Sequence, residues 1–119
     1  MKFIFDVWLS AVVLLFTAAL APSVPDAEAQ GRRAECLLFI DGRDVIRGTC
    51  MFSPIGRDGS FQIMSLNGSS FAQVQVERPG VAQGYWNGGA YQGHAHDNLG
   101  TLTRKEACWS NDSASVCAW

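Results

Sequence analysis

Apolar and polar residues alternate on both sides of an Asn-Gly dipeptide at positions 67 and 68, which predicts a β-hairpin there. Asn-Gly is the preferred centre of a type I′ turn, because both central residues of that turn need a positive φ. Such a turn fixes a register in which Phe61 faces Val74 on one side and Gln62 faces Gln73 on the other. One face of this hairpin is therefore expected to be buried, and the other to meet solvent or a partner.

Short apolar or alternating segments recur through the rest of the chain, separated by turn residues. Loops are predicted at 53–59, which combines a proline with two glycines, and at 87–93, which holds three glycines. No segment after residue 29 has a sustained 3.6-residue apolar period. Further strands are predicted at 35–40, 45–52, 81–86, 99–107, 108–109 and 115–119. The pattern predicts a single all-β domain, an antiparallel meander of six to eight short strands that forms a small barrel or a sandwich.

The first 29 residues have the features of a secretory signal peptide. A short basic start precedes an apolar run at 7–21, which is too short to span a bilayer comfortably. Small-x-small cleavage patterns end at Ala21 and at Ala29, and cleavage after Ala29 is favoured because Pro22 would follow the first site. We therefore predict a signal peptide at 1–29 and one β domain at 30–119, with an uncleaved membrane anchor as the alternative. Contact with a membrane is expected only through this segment, before cleavage.

Removal of residues 1–29 would leave a chain with no net charge. The full sequence has nine basic and eleven acidic side chains, of which residues 1–29 hold one and three, so eight of each remain. A neutral surface without a large basic cluster has little electrostatic attraction for nucleic acid, so no nucleic-acid partner is expected. A single domain of this size buries only a small core and needs reinforcement.

An even number of cysteines in an exported chain indicates disulfides, and four lie after residue 29: Cys36, Cys50, Cys108 and Cys117. Of the three possible pairings, the local ones are favoured, because each closes a hairpin in register. A turn centred on 42–44 would place Cys36 opposite Cys50, and a turn at 111–114 would place Cys108 opposite Cys117. Each disulfide would contribute roughly 2–3 kcal/mol. The alternative of a zinc site lacks the usual CxxC spacing, and a catalytic thiol would need an unpaired cysteine.

Four motifs in the carboxyl-terminal half resemble a family of small exported alphaproteobacterial proteins. They read GYWNG at 84–88, HAHDNLGTLTR at 94–104, ACWSND at 107–112 and VCAW at 116–119. In that family the corresponding segments read roughly G-x-WNG, AH-x-x-LG-x-L-x-R, ACW-x-N and ICAW. The resemblance covers nearly the whole of 30–119, because further matches occur at Cys36, Ile40-Asp41-Gly42, Gly48, Cys50 and Gly59-Ser60-Phe61.

This resemblance implies export to a bacterial periplasm and a non-enzymatic role, and it carries no catalytic residues across. A weaker resemblance, in size, compartment and cysteine content, is to small periplasmic proteins that inhibit peptidoglycan-cleaving lytic transglycosylases. The expected partner is a periplasmic or cell-wall protein, and no cofactor is expected.

Both histidines of the chain lie in the segment His94-Ala95-His96-Asp97. Two histidines separated by one residue point the same way on a strand, so they could share a metal ion with Asp97 as a further ligand. We favour the interpretation without metal, in which one ring packs beside a tryptophan and the other bonds a turn carbonyl or Asp97. Acid–base catalysis by His96 and Asp97 is disfavoured, because adjacent strand residues face opposite sides and no nucleophile is placed beside them.

An aromatic and polar cluster surrounds the glycine-rich loop: Tyr85, Trp86, Asn87 and Tyr91. Exposed aromatic residues beside flexible polar ones suit sugar stacking or the anchoring of a protein partner. For Trp86, as for Trp109, a place in the core is favoured, whereas Tyr85 and Tyr91 are expected at the surface.

Two classes of function follow from these patterns. The favoured hypothesis is a periplasmic binding or inhibitory module without catalytic activity, which blocks a partner such as a peptidoglycan hydrolase with the loop at 87–97. Its candidate contact residues are Tyr85, Trp86, Asn87, Tyr91, His94, His96 and Asp97. The alternative is a small metal-binding protein or enzyme that uses His94, His96 and Asp97.

Overall fold

The fold is taken from a computed structural model that describes residues 31–119. The predicted signal peptide at 1–29 and its cleavage site lie outside these residues and stay predictions. Between residues 31 and 119, no helix is long and apolar enough to cross a membrane.

Eight antiparallel strands follow one another along the chain and close into a barrel. Each strand pairs with the next, and β1 pairs with β8 to complete the cylinder. The predicted all-β meander is confirmed, and of the two predicted architectures the structure is the barrel. The strands are β1 (Arg32–Ile40), β2 (Arg43–Pro54), β3 (Phe61–Ser65), β4 (Phe71–Arg78), β5 (Val81–Trp86), β6 (Asp97–Lys105), β7 (Cys108–Ser110) and β8 (Ala114–Ala118).

Aliphatic side chains that point inward from successive strands fill the middle of the barrel. The five largest of those with no exposed surface come from five different strands: Leu38, Ile63, Val74, Leu102 and Val116. An eight-stranded barrel has an interior just wide enough for side chains to fill. The middle of this barrel is therefore a packed core, and space for a ligand can exist only at its ends.

Gly84 on β5 is required by this packing. A Cβ atom at position 84 would lie 2.6 Å from Cδ1 of Leu102 and 3.2 Å from Cβ of Leu99. Both distances are shorter than an ordinary van der Waals contact, so a larger residue at position 84 would displace the core.

The β3–β4 hairpin has the predicted register. Gln62 pairs with Gln73, and their side-chain amides form a 3.0 Å hydrogen bond on the outer face. The predicted type I′ turn is wrong, because only Gly68 of the Asn-Gly dipeptide has a positive φ, of 76°. The N–H of Gly68 donates to the carbonyl oxygen of Ser65 at 2.8 Å, so the loop at 66–69 is longer than a two-residue turn.

The predicted register of the β1–β2 hairpin is wrong, because Cys36 pairs with Gly48 rather than with Cys50. The turn consists of Asp41-Gly42 alone, with φ values of 50° and 84°, and a register shift follows within β1. Asp-Gly is a preferred sequence for a two-residue turn, so the turn lies at 41–42 and not at the predicted 42–44. The predicted Cys36–Cys50 disulfide still forms, because the two residues are diagonal neighbours whose Cα atoms lie 5.8 Å apart.

The Cys108–Cys117 disulfide joins two directly opposed residues of the β7–β8 hairpin, with Cα atoms 4.1 Å apart, as predicted. Cys36 and Cys50 belong to the core cluster, whereas Cys108 is partly exposed and outside it. One disulfide thus reinforces the interior of the barrel and the other its closing hairpin. Two disulfides are consistent with an oxidising, extracellular compartment.

The connections divide between two ends of the barrel, which we name the loop end and the open end. The loop end carries the β1–β2, β3–β4, β5–β6 and β7–β8 connections. The open end carries the other three connections, together with Gly31 and Trp119. Two regions that could bind a partner, one at each end, are therefore separated by the length of the barrel.

Candidate functional site

The β5–β6 loop, residues 87–96, is the longest connection between the strands and lies at the loop end. Most of its side chains are exposed, but Asn87 has no exposed surface. The N–H of Asn87 donates to the carbonyl oxygen of Phe71 at 3.1 Å, and its side-chain oxygen accepts the N–H of Phe71 at 3.1 Å. The side chain of Asn87 thus replaces a backbone group and extends the β4–β5 pairing by one bond beyond the end of β5.

The side-chain nitrogen of Asn87 holds the loop in shape. It shares its two hydrogens among the carbonyl oxygens of Ser69 and Gly89, each at 2.9 Å, and that of Gln92 at 3.0 Å. The hydrogen-bonding capacity of this buried amide is therefore met within the protein. Contrary to the sequence-based prediction, Asn87 has no surface to offer a partner, and its role is to fix the loop.

Tyr91 is displayed at the surface of the loop and is 70% exposed. Its φ of 63° lies in the left-handed region, which L-residues with large side chains rarely adopt. The conformation is held by the N–H of Tyr91, which donates to the carbonyl oxygen of Ser69 at 2.7 Å. Backbone strain that the surroundings maintain is a feature of functional sites, so Tyr91 is the residue of this loop that points most clearly to binding.

The remaining aromatic residues of the predicted cluster separate into core and surface. Trp86 and Trp109 are only 8% and 6% exposed, which confirms their predicted place in the core. Tyr85 is half-buried on the outer face of β5, where it pairs with Gln73. Trp86 is therefore mostly covered within the barrel, and Tyr85 lies on the barrel wall beside the loop.

His94 and His96 are both exposed and precede β6, which begins at Asp97. The prediction that strand geometry aligns the two rings is therefore wrong. Nδ1 of His96 lies 2.9 Å from the carbonyl oxygen of His94, and Nε2 lies 3.5 Å from Oδ1 of Asp97. The predicted opposite orientation of His96 and Asp97 is also wrong, since that expectation required both residues to lie on a strand.

The contacts of His96 determine which of its ring nitrogens could coordinate a metal ion. One ring nitrogen of His96 is already engaged by a backbone carbonyl, so only Nε2 could act as a ligand. In the part of the chain that the structure describes, no group of three or more His, Cys, Asp or Glu residues is placed to hold a metal ion. The geometry therefore gives no support to the metal-binding alternative.

Gly88 and Asp97 close the base of the loop. Gly88 has a φ of 81°, and a Cβ atom at this position would lie 2.8 Å from Oδ2 of Asp97. Only glycine combines this backbone conformation with such a close approach of the carboxylate. The Asp97 carboxylate therefore lies against Gly88 at the base of the loop and is partly exposed at its edge.

A second candidate site, which the sequence analysis did not identify, lies at the open end. A cavity of about 410 Å³ opens there, within the range of typical small-ligand sites. Its apolar lining includes Phe52, Phe61, Val76 and Trp109, each near the end of a different strand. Only the closed register of all eight strands brings these residues together. The sequence offers one indication of this site: each of these four residues is apolar and lies near the end of a segment in which apolar and polar residues alternate.

Charged residues surround the mouth of this cavity. The guanidinium carbon of Arg32 lies 4.7 Å from the centroid of the Phe52 ring, and that of Arg104 lies 5.9 Å from the Trp109 ring. Asp58 also lines the cavity, and its Oδ1 accepts the N–H of Ser60 at 2.9 Å. This hydrogen bond from the Ser60 backbone, assisted by the Ser60 side chain, lowers the pKa of the Asp58 carboxyl.

Comparison of the chain with family models, with curated proteins and with solved structures gave no match. The resemblance stated from its motifs therefore stays a prediction.

Proposed function

We propose that the protein is an exported, periplasmic binding module without catalytic activity, which restrains a peptidoglycan-cleaving enzyme through the β5–β6 loop. The observation that carries this proposal is the display of Tyr91. Its ring is 70% exposed, and its strained backbone is held outward by the hydrogen bond to Ser69. An aromatic side chain held in place at the surface is a typical anchor for a protein partner.

The scaffold suits an inhibitor because it loses little conformational freedom on binding. The barrel is closed, so it has no unpaired strand edge, and two disulfides cross-link it. The buried amide of Asn87 fastens the β5–β6 loop at three carbonyl groups. A loop that is already ordered before binding loses less conformational entropy when the complex forms.

A contact surface at the loop end would combine apolar and polar groups. Leu66, in the β3–β4 loop, is 52% exposed and belongs to the loop that is hydrogen-bonded to Tyr91 through Ser69. His94 and His96 follow Tyr91 in the sequence, and both are exposed. This arrangement supplies an apolar centre with a polar surround, which is the usual organisation of a protein interface. Leu66 is a candidate contact residue that the sequence analysis did not name.

The compartment in this proposal rests on one structural observation and on two predictions from the sequence. The predicted signal peptide directs export, the two disulfides are consistent with an oxidising compartment, and the motif resemblance implies the bacterial periplasm. A peptidoglycan-cleaving enzyme is a partner that such a compartment contains.

The proposal is tested by digestion of purified peptidoglycan sacculi with a purified lytic transglycosylase. We expect the wild-type protein to slow the release of soluble fragments in a dose-dependent way. Tyr91→Asn should abolish this effect, because asparagine tolerates a positive φ and keeps the loop conformation without the ring. Trp119→Asn is the matched control, since Trp119 is another exposed aromatic residue, 62% exposed, at the opposite end. It should inhibit as the wild type does.

Two results would contradict the proposal. One is that the wild-type protein inhibits no lytic transglycosylase among a panel of such enzymes. The other is that Tyr91→Asn inhibits as strongly as the wild type while its thermal unfolding is unchanged, because the exposed ring would then have no part in recognition.

A further inference from the structure

We propose that the cavity at the open end binds a small amphipathic carboxylate, a molecule with an apolar body and a single carboxylate group. This site is independent of the proposed inhibitory function, because it lies at the opposite end of the barrel from the β5–β6 loop. It is built from an aromatic floor and from two arginines that lie over aromatic rings at its mouth.

The floor of the cavity provides a surface for an apolar group. The rings of Phe52 and Phe61 are stacked, with centroids 5.1 Å apart and an interplanar angle of 23°. Trp109 contributes a third ring and Val76 an aliphatic side chain. Because Leu102 and its neighbours fill the middle of the barrel, the apolar body would lie across these rings at the mouth.

The two arginines are arranged to receive a carboxylate. Each guanidinium lies over a ring, Arg32 over Phe52 and Arg104 over Trp109. A guanidinium that lies over a ring in a cation–π contact keeps N–H groups available for a carboxylate. The Nε of Arg104 also donates to the carbonyl oxygen of Glu106 at 3.0 Å, which further fixes its direction.

Neither arginine is neutralised by a salt bridge within residues 31–119. The salt bridges there join Arg47 to Asp44 and His96 to Asp97. The guanidinium edges of Arg32 and Arg104 are thus available for a charge-assisted hydrogen bond, which is stronger than a bond between neutral groups.

Two acidic residues at the mouth of the cavity, Asp58 and Glu106, limit the charge that a ligand can carry. Asp58 accepts the N–H of Ser60, and this hydrogen bond lowers the pKa of a carboxyl that is ionised at neutral pH in any case. With two cations and two anions around the mouth, the local field is small, so a polyanion gains little. A single carboxylate that bonds directly to a guanidinium edge fits this arrangement.

The test compares 2-naphthoate with 2-naphthamide by isothermal titration calorimetry on the protein purified after export. The two compounds share one apolar body and differ in charge. We expect the naphthoate to bind at least tenfold more tightly than the amide. In Arg32→Gln and Arg104→Gln, naphthoate affinity should fall at least tenfold and approach that of the amide. Arg47→Gln is the matched control, an exposed arginine outside the cavity, and should bind as the wild type does.

The position of the bound compound is read from backbone amide chemical shifts. Gly59 and Gly80 line the cavity, whereas Gly68 and Gly93 lie in loops at the opposite end. Naphthoate should shift the amide signals of the first pair and leave those of the second pair unchanged.

The proposal is overturned if no heat of binding is measured with naphthoate, if the amide binds equally well, or if both arginine variants bind naphthoate as the wild type does. It is also overturned if the shifts occur at Gly68 and Gly93. None of these results would bear on inhibition through Tyr91.

Discussion

The side-chain nitrogen of Asn87 lies 2.9 Å from the carbonyl oxygen of Ser69, so the β5–β6 loop is fastened to the β3–β4 loop. The N–H of Tyr91 donates to the same carbonyl oxygen at 2.7 Å. Two loops that are far apart in the sequence therefore act as one surface at the loop end. The exposed ring of Tyr91 thus belongs to a loop that is held by a buried asparagine with no exposed surface.

Replacement of Asn87 by alanine should destabilise the whole barrel. The change leaves the N–H of Phe71 without its acceptor and removes one donor from each of the carbonyl oxygens of Ser69, Gly89 and Gln92, and a buried group left unsatisfied costs about 1–3 kcal/mol. We expect Asn87→Ala to lower the free energy of unfolding by about 3 kcal/mol in urea titrations. Asn98→Ala, at an exposed asparagine that accepts one local hydrogen bond from Gly100, should cost about 1 kcal/mol or less. Equal losses in the two variants would show that Asn87 does not hold the loop.

Gly84→Ala tests the packing of the barrel interior. The added methyl group would meet Leu102 at 2.6 Å, so we expect a loss of about 1–3 kcal/mol in the free energy of unfolding, measured by chemical denaturation. Gly93→Ala is the control, because no atom lies within 4 Å of a Cβ at position 93 and its φ is not positive. It should leave stability within about 0.5 kcal/mol of the wild type. If Gly84→Ala is as stable as the wild type, the core is not packed as described.

The two disulfides should be reduced in a fixed order. Cys36 and Cys50 are 3% and 0% exposed in the core, whereas Cys108 is partly exposed at the surface. Attack by a thiolate requires access to sulfur, so limited dithiothreitol should open Cys108–Cys117 first. Alkylation followed by mass spectrometry of peptides identifies the modified cysteines. Earlier labelling of Cys36 and Cys50 would contradict the assignment of that disulfide to the interior.

Asp58 should make stability depend on pH in the acid range. Its pKa is lowered in the folded state by the hydrogen bonds from Ser60, so the unfolded chain binds its proton first as the pH falls. The stabilisation by Asp58 is therefore complete above the ordinary aspartate pKa of about 3.9 and is lost as the pH drops through the lower folded value. In urea titrations, wild type should be more stable than Asp58→Asn at pH 7, and the gap should narrow below about pH 4. A gap that is the same at pH 7 and pH 3 would contradict this.

Local patterns in the sequence predict much of the fold. Alternation and turn residues predict the β3–β4 register, the bounds of β5 and the Cys108–Cys117 disulfide, because each depends on residues close together in the chain. The Cys36–Cys50 disulfide is predicted correctly, but from a register that is wrong. The β1–β2 register is predicted wrongly. Either Asp41-Gly42 or the residues that follow could form the turn, and the position of the turn decides which residues of β1 and β2 lie opposite each other. The turn at Gly68 is not of the predicted type. The side-chain oxygen of Asn67 accepts the N–H of Ser69 at 3.0 Å, and the backbone of Asn67 does not have a positive φ.

The candidate sites are less predictable, because they depend on contacts between distant segments. The loop around Tyr91 is visible in the sequence through its glycines, but the burial of Asn87 is not, since its partners lie in another loop. The open-end cavity requires Arg32 and Trp109 to meet through closure of the barrel, and no local pattern specifies that closure. Histidine spacing suggested a metal site only on the assumption that both rings lie on a strand.

The most direct test of the central claim is photo-crosslinking in living cells from position 91, compared with position 33 on the barrel wall. Benzoylphenylalanine replaces Tyr91 in one strain and Arg33 in the other, both of which are exposed. The account predicts a covalent adduct with a peptidoglycan-cleaving enzyme from position 91 and none from position 33. Failure to capture such an enzyme from position 91, or equal capture from both positions, would contradict it.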